Sequence, residues 1–127
     1  MLKKIIGLVL IVSVILASVN VEVKANSDSH TYGSYTCNGS CWISIHSAGA
    51  STTAVPKTNA YVSGTYDYVT NPGSPNPHHE CLPNSHGDWD GYAHISFSIS
   101  NTSQSFRIDA SHSIPESGCS VSTYEVY

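Results

Sequence analysis

From Asn26 to its last residue the chain holds one leucine (Leu82), one glutamine (Gln104), one lysine (Lys57), one arginine (Arg107) and no methionine. Those are the residues that favour helices, because their unbranched side chains lose little rotamer freedom there. The same stretch contains 29 serines and threonines and all eight tyrosines. With valine and isoleucine these residues suit a pleated, half-buried surface and its turns. Serine and threonine also dominate disordered chains, but the aromatic content and the alternating segments described below argue against disorder. The expected fold class is all-β: a small antiparallel β-sandwich or β-barrel of about seven short strands.

Residues 1–25 have a different composition. Lys3 and Lys4 form a basic start, Ile5 to Val19 is an almost unbroken apolar run, and Val23-Lys24-Ala25 is a small-x-small site. This is the order of a cleaved secretory signal peptide of the bacterial kind. The apolar run falls short of the ~20 residues that a spanning helix needs, and Asn20, Glu22 and Lys24 follow it directly. The expectation is a secreted, extracellular protein with no membrane span in its mature form. Residues 26–30 read as a loose N-terminus and residues 31–127 as a single β-domain, which benefits from covalent support at this size.

Beyond residue 25, two cations face eight carboxylates, a net charge of −6 with histidine neutral. Nucleic acid and anionic membrane surfaces need clustered Lys and Arg, so neither is an expected partner.

Period-two alternation locates the strands. Tyr32–Cys37 and Cys41–Ser47 read as a hairpin closed by Asn38-Gly39-Ser40. Ser51–Val55 and Asn59–Val69 follow. The latter has aromatic residues on both of its faces, as though it were covered twice, and Gly64 suggests a bulge. Ala93, Ile95, Phe97 and Ile99 alternate with polar residues, as do Phe106, Ile108 and Ala110, which predicts a second hairpin around Asn101-Thr102. Cys119–Tyr127 would be the last strand. Two Asn-x-Ser sequons, at Asn38 and Asn101, fall at predicted turns and matter only in a host that glycosylates.

Four cysteines in a small secreted domain imply two disulfides. Cys37–Cys41 across the hairpin and Cys81–Cys119 are the expected pairs. Cys37–Cys81 with Cys41–Cys119 remains open, because spacing does not decide the connectivity. Cys37 and Cys41 lack the spacing of a redox Cys-x-x-Cys motif.

Residues 70–91 break the alternation with four prolines and no period, and read as a long Pro/His-rich loop of the kind that carries function. Within it lie Pro77-His78-His79-Glu80-Cys81 and His86-Gly87-Asp88-Trp89-Asp90-Gly91. His78, His79, His86 and Asp88 are candidate ligands for zinc or copper, although adjacent histidines diverge in extended chain. Asp88-x-Asp90-Gly91 is a fragment of a calcium loop without the remainder of the pattern. Trp89 is a candidate anchor for a sugar or a protein, whereas Trp42 reads as a core residue beside a disulfide. No nucleophile elbow or lone catalytic cysteine is present. His94 and His112 read as surface or edge residues.

The sequence therefore implies a small non-enzymatic binding protein acting at or beyond the cell envelope. His78, His79, His86, Asp88, Trp89 and Asp90 are its candidate contacts, with an extracellular protein or an envelope polysaccharide as partner. A secreted toxin of the bacteriocin type and an extracellular metal-binding protein are the alternatives.

Overall fold

A computed structural model describes residues 22–127. The expected signal peptide lies almost wholly outside that range. Eight antiparallel strands account for most of the described residues: β1 (Lys24–Tyr32), β2 (Tyr35–Ser44), β3 (Ser47–Val55), β4 (Ala60–Thr70), β5 (His78–Asp88), β6 (Tyr92–Ser98), β7 (Ser103–Ile114) and β8 (Cys119–Val126). They form two four-stranded sheets, ordered β1-β2-β3-β6 and β5-β4-β7-β8. Among the described residues there is no helix, and so none long and apolar enough to cross a membrane. The all-β sandwich read from composition is the architecture found.

The two sheets face each other across a core of small and medium side chains. Ile43, Ala48, Ala50 and Ile95 of the first sheet meet Val62, Tyr66, Ile108, Ala110 and Ile114 of the second. Tyr66 fits inside because its hydroxyl lies 2.5 Å from Ser105 Oγ, so the polar tip keeps a partner. Alternation puts these residues inward and leaves serines, threonines and tyrosines on the two outer faces.

Several expectations fail, each for a local reason. Asn38-Gly39-Ser40 is not a turn, since β2 passes straight through it. The turn falls instead at Gly33-Ser34, where Gly33 has φ +62° and Tyr32 pairs with Tyr35. Gly39 serves the interior: a Cβ there would lie 2.3 Å from the ring of His112. Residues 26–30 are not loose, because β1 pairs with β2 from Lys24 to Tyr32. Residues 70–91 are not one long loop. β5 pairs with β4 over eleven residues, leaving only short turns at 71–77 and 89–91.

The alternation of β6 is as read, and that of β7 from Ile108 onward but not at Phe106; the two strands are not a hairpin. β6 pairs with β3 and β7 with β4 and β8, so the turn between them crosses from one layer to the other. Both strands send apolar residues into the same core from opposite sides, a pattern that also suits a hairpin. The irregularity in β4–β7 lies at Asp67/Tyr68 rather than at Gly64. It leaves Phe106 44% exposed. β4 is covered on one face only, with Tyr61 in solvent.

All four cysteines are present as thiols, and neither expected pair can bridge. Cys37 and Cys41 share the inner side of one extended strand. Four residues of strand place them about 13 Å apart, beyond disulfide reach. Cys81 lies on the outer side of β5 and Cys119 is buried on β8, with β4 and β7 between them. Trp42 is also misread as core. It lies on the outer face, over Gly49, where a Cβ would come within 2.6 Å of the indole Nε1.

Candidate functional site

The residues singled out in 70–91 do not converge. His78 and His79 point to opposite sides of β5, as neighbours in a strand must. His78 Nε2 is 4.0 Å from Glu80 Oε1, and His79 meets Phe106 edge-on with ring centroids 5.2 Å apart. His86 lies eight residues further along β5, about 26 Å away by strand rise. It has Nε2 3.8 Å from Asp88 Oδ2 and its ring 6.2 Å from that of His94. Asp88 and Asp90 hold the next turn: Oδ1 of Asp88 accepts from the Asp90 N–H at 3.2 Å, and Oδ1 of Asp90 from the Tyr92 N–H at 3.0 Å. No group of three or more His, Cys, Asp or Glu among the described residues could hold a metal ion. The four candidate ligands therefore do not fit zinc or copper as one site.

Trp89 stands at the tip of that turn, 78% exposed. The turn beneath it is fixed. Gly91 has φ +86° and its carbonyl accepts from the Ala54 N–H at 2.9 Å, while a Cβ at Gly91 would come within 2.8 Å of Lys57.

A depression of about 900 Å³ lies on the outer face of the second sheet. The strand registers define its floor. One cross-strand row reads Ser85, Ser63, Ser111, Ser122 over β5, β4, β7 and β8. The row on one side carries Tyr61 opposite Gly87. The row on the other reads Pro83, Thr65, Asp109, Tyr124. Serine occupies all four strands of the middle row, so the floor is low there, and tyrosines rise at opposite corners. Among the described residues no hydrogen bond engages the Ser63, Ser85, Ser111 or Ser122 hydroxyls. Asp109 is neutralised in place: Arg107 donates to both its oxygens at 2.5 Å, and the guanidinium sits 4.9 Å from the Tyr124 ring centre. The trough is thus polar, uncharged on balance and edged by aromatic rings.

The first sheet carries a related row, Ser27, Ser40, Ser51, His94. Here Ser40 and Ser51 bond each other at 2.8 Å, and His94 stacks with Tyr92 at 5.8 Å. Two of its three hydroxyls are already engaged.

Sequence reading missed the trough. Tyr61, Ser63 and Thr65 share a parity, and so do Ser122 and Tyr124. Which parities lie side by side depends on strand order and register, which no turn signal here reveals. Compared with known proteins, the chain matches no family model, no curated protein and no solved structure.

Proposed function

We propose that this chain is a secreted, non-enzymatic binding domain that acts at or beyond the cell envelope and takes a neutral polysaccharide strand across the outer face of its second sheet. The observation that supports this most is the row of four unpartnered serine hydroxyls between Tyr61 and Tyr124. Adjacent strands are ~4.8 Å apart, close to the length of one sugar ring, so successive hydroxyls can meet successive rings. Tyrosine faces stack on the apolar face of a pyranose and keep a polar tip in water. The net charge of −4 for the whole chain disfavours an anionic polymer. No histidine lines the trough, and its one carboxylate is held by Arg107, so the floor offers contacts rather than a general base. Secretion rests on the pattern of residues 1–25.

Affinity electrophoresis in gels containing a soluble neutral glucan or N-acetylglucosamine polymer tests this reading, with an anionic polysaccharide as the control. Retention is expected on a neutral polymer only. Tyr61→Ala and Tyr124→Ala should each weaken it by about tenfold, the factor for ~1.4 kcal/mol of lost stacking and contact. No retention on any neutral polymer, or retention indifferent to both substitutions, defeats it. A protein partner anchored on Trp89 is the second reading, supported by that indole's exposure on a fixed turn. Under it, Trp89→Ala abolishes capture of the partner and leaves glycan retention unchanged.

A further inference from the structure

β2 packs over β7 and β8 in a register that several contacts define. Gly39 of β2 lies against the His112 ring of β7, at the distance that would place its Cβ 2.3 Å from Cδ2. Two residues back along β2 is Cys37, and two residues on along β7 is Ile114, whose β8 partner is Cys119. In the opposite direction Cys41 reaches the hydroxyl of Thr123, the β8 partner of Ala110. Cys37 precedes Cys41 by four residues, and Cys119 precedes Thr123 by four. The Cys119 thiol confirms the alignment. It donates to the His30 carbonyl at 3.1 Å and lies 3.9 Å from the Tyr35 carbonyl. His30 is the register partner of Cys37, and Tyr35 stands two residues before it. Both thiols are fully buried and face inward from opposite sheets.

We propose that Cys37 and Cys119 form a disulfide that joins the two sheets when the chain folds under oxidising conditions, with Cys41 and Cys81 left as thiols. The oxidant is a small-molecule or protein disulfide. One cysteine thiolate attacks it and displaces a first thiol. The second thiolate then attacks the mixed disulfide and displaces another. Two protons and two electrons leave the pair, one Sγ–Sγ bond forms, and one disulfide is reduced to two thiols. The step belongs to folding rather than to the finished domain, since burial, with Cys119 adding to it, pushes the Cys37 thiol up to about 11. The other two thiols have separate partners. Cys41 lies against Thr123, and exposed Cys81 is hydrogen-bonded to the Asp67 carboxylate, which raises its pKa.

The basic residues make the test direct. After residue 25, trypsin can cut only at Lys57 and Arg107, which separates Cys37 and Cys41, Cys81, and Cys119 into three peptides. The chain is refolded in glutathione redox buffer, alkylated, digested and mapped without reduction. The expected map joins the peptide ending at Lys57 to the one starting at Ile108, with Cys81 alkylated. Cys41→Ser keeps the link and Cys37→Ser loses it. A link to the Cys81 peptide, a link that needs Cys41, or three unlinked peptides would overturn the proposal.

Discussion

His112 lies wholly buried between the sheets, while His78, His79 and His86 all stand in solvent along β5. The buried ring is held at both nitrogens. Nδ1 is 2.8 Å from Thr52 Oγ1 and Nε2 is 2.7 Å from Thr123 Oγ1. Thr52 in turn donates to the Tyr61 carbonyl at 3.0 Å. A single file of polar groups therefore runs through an apolar core and ends beneath Tyr61, at the edge of the trough. On β5 His78 faces Glu80, His79 meets Phe106 and His86 lies near Asp88 and His94, all three exposed to water. The difference teaches that a histidine's importance here follows its surroundings and not its density along the chain.

The greatest expected effect is the loss of that buried ring. His112→Ala should cost about 3–5 kcal/mol, because it empties a core site and removes one hydrogen-bond partner from each of two threonine hydroxyls. Urea denaturation measures it, and a cost under ~1 kcal/mol would mean that the file carries no weight. Acid should act on the same group. Burial holds His112 neutral, with its pKa lowered from 6.5 to about 4. Between those values the unfolded chain binds a proton that the folded chain refuses. Stability is therefore full above pH 6.5 and falls as pH drops toward 4, by about 3 kcal/mol in total. His112→Gln should remove most of that slope in denaturation curves recorded at pH 7, 6, 5 and 4.5.

Gly39→Ala sharpens the contrast at the backbone level. Its Cβ would force the His112 ring aside, at a cost of about 1–3 kcal/mol. Gly87→Ala on β5 meets the Tyr61 ring at 3.2 Å, near the surface, and the Ala60 carbonyl oxygen at an ordinary 3.8 Å. It should change the melting temperature far less. The smallest effect belongs to the double change His78→Ala/His79→Ala, expected to lie within ~0.5 kcal/mol. A loss of 2 kcal/mol there would break the comparison outright.

Much of the fold was legible in the chain, and much of the site was not. Residue choice alone points to strands, and the parities of Ala93–Phe97 and Ile108–Ala110 are those observed. Parity does not say which layer a strand joins. For that reason β6 and β7 looked like a hairpin, and Gly39 looked like a turn when it was in fact making room for a ring on another strand. β5 was hidden by the four prolines of residues 70–91, of which one, Pro83, lies within the strand and is tolerated there because β5 is an edge strand. The cysteine pairing failed for a similar reason, since spacing along the chain carries no information about a contact between sheets. Ser85 and Tyr61 belong to one trough only through register, which long-range packing decides.

One residue in β5 has a wider consequence. Pro83 pairs with Thr65 in the middle of the strand. A proline has no N–H to donate, so the pair must be of the kind that exchanges no hydrogen bonds, and its ring nitrogen faces the open edge. A second molecule arriving there would find a gap in the row of donors, beside the charges of Glu80 and Asp88. An eleven-residue strand with a bare flank is the sort of surface on which fibrils start. Pro83 puts a break in the donor row of that uncovered flank, which works against edge-to-edge pairing between copies.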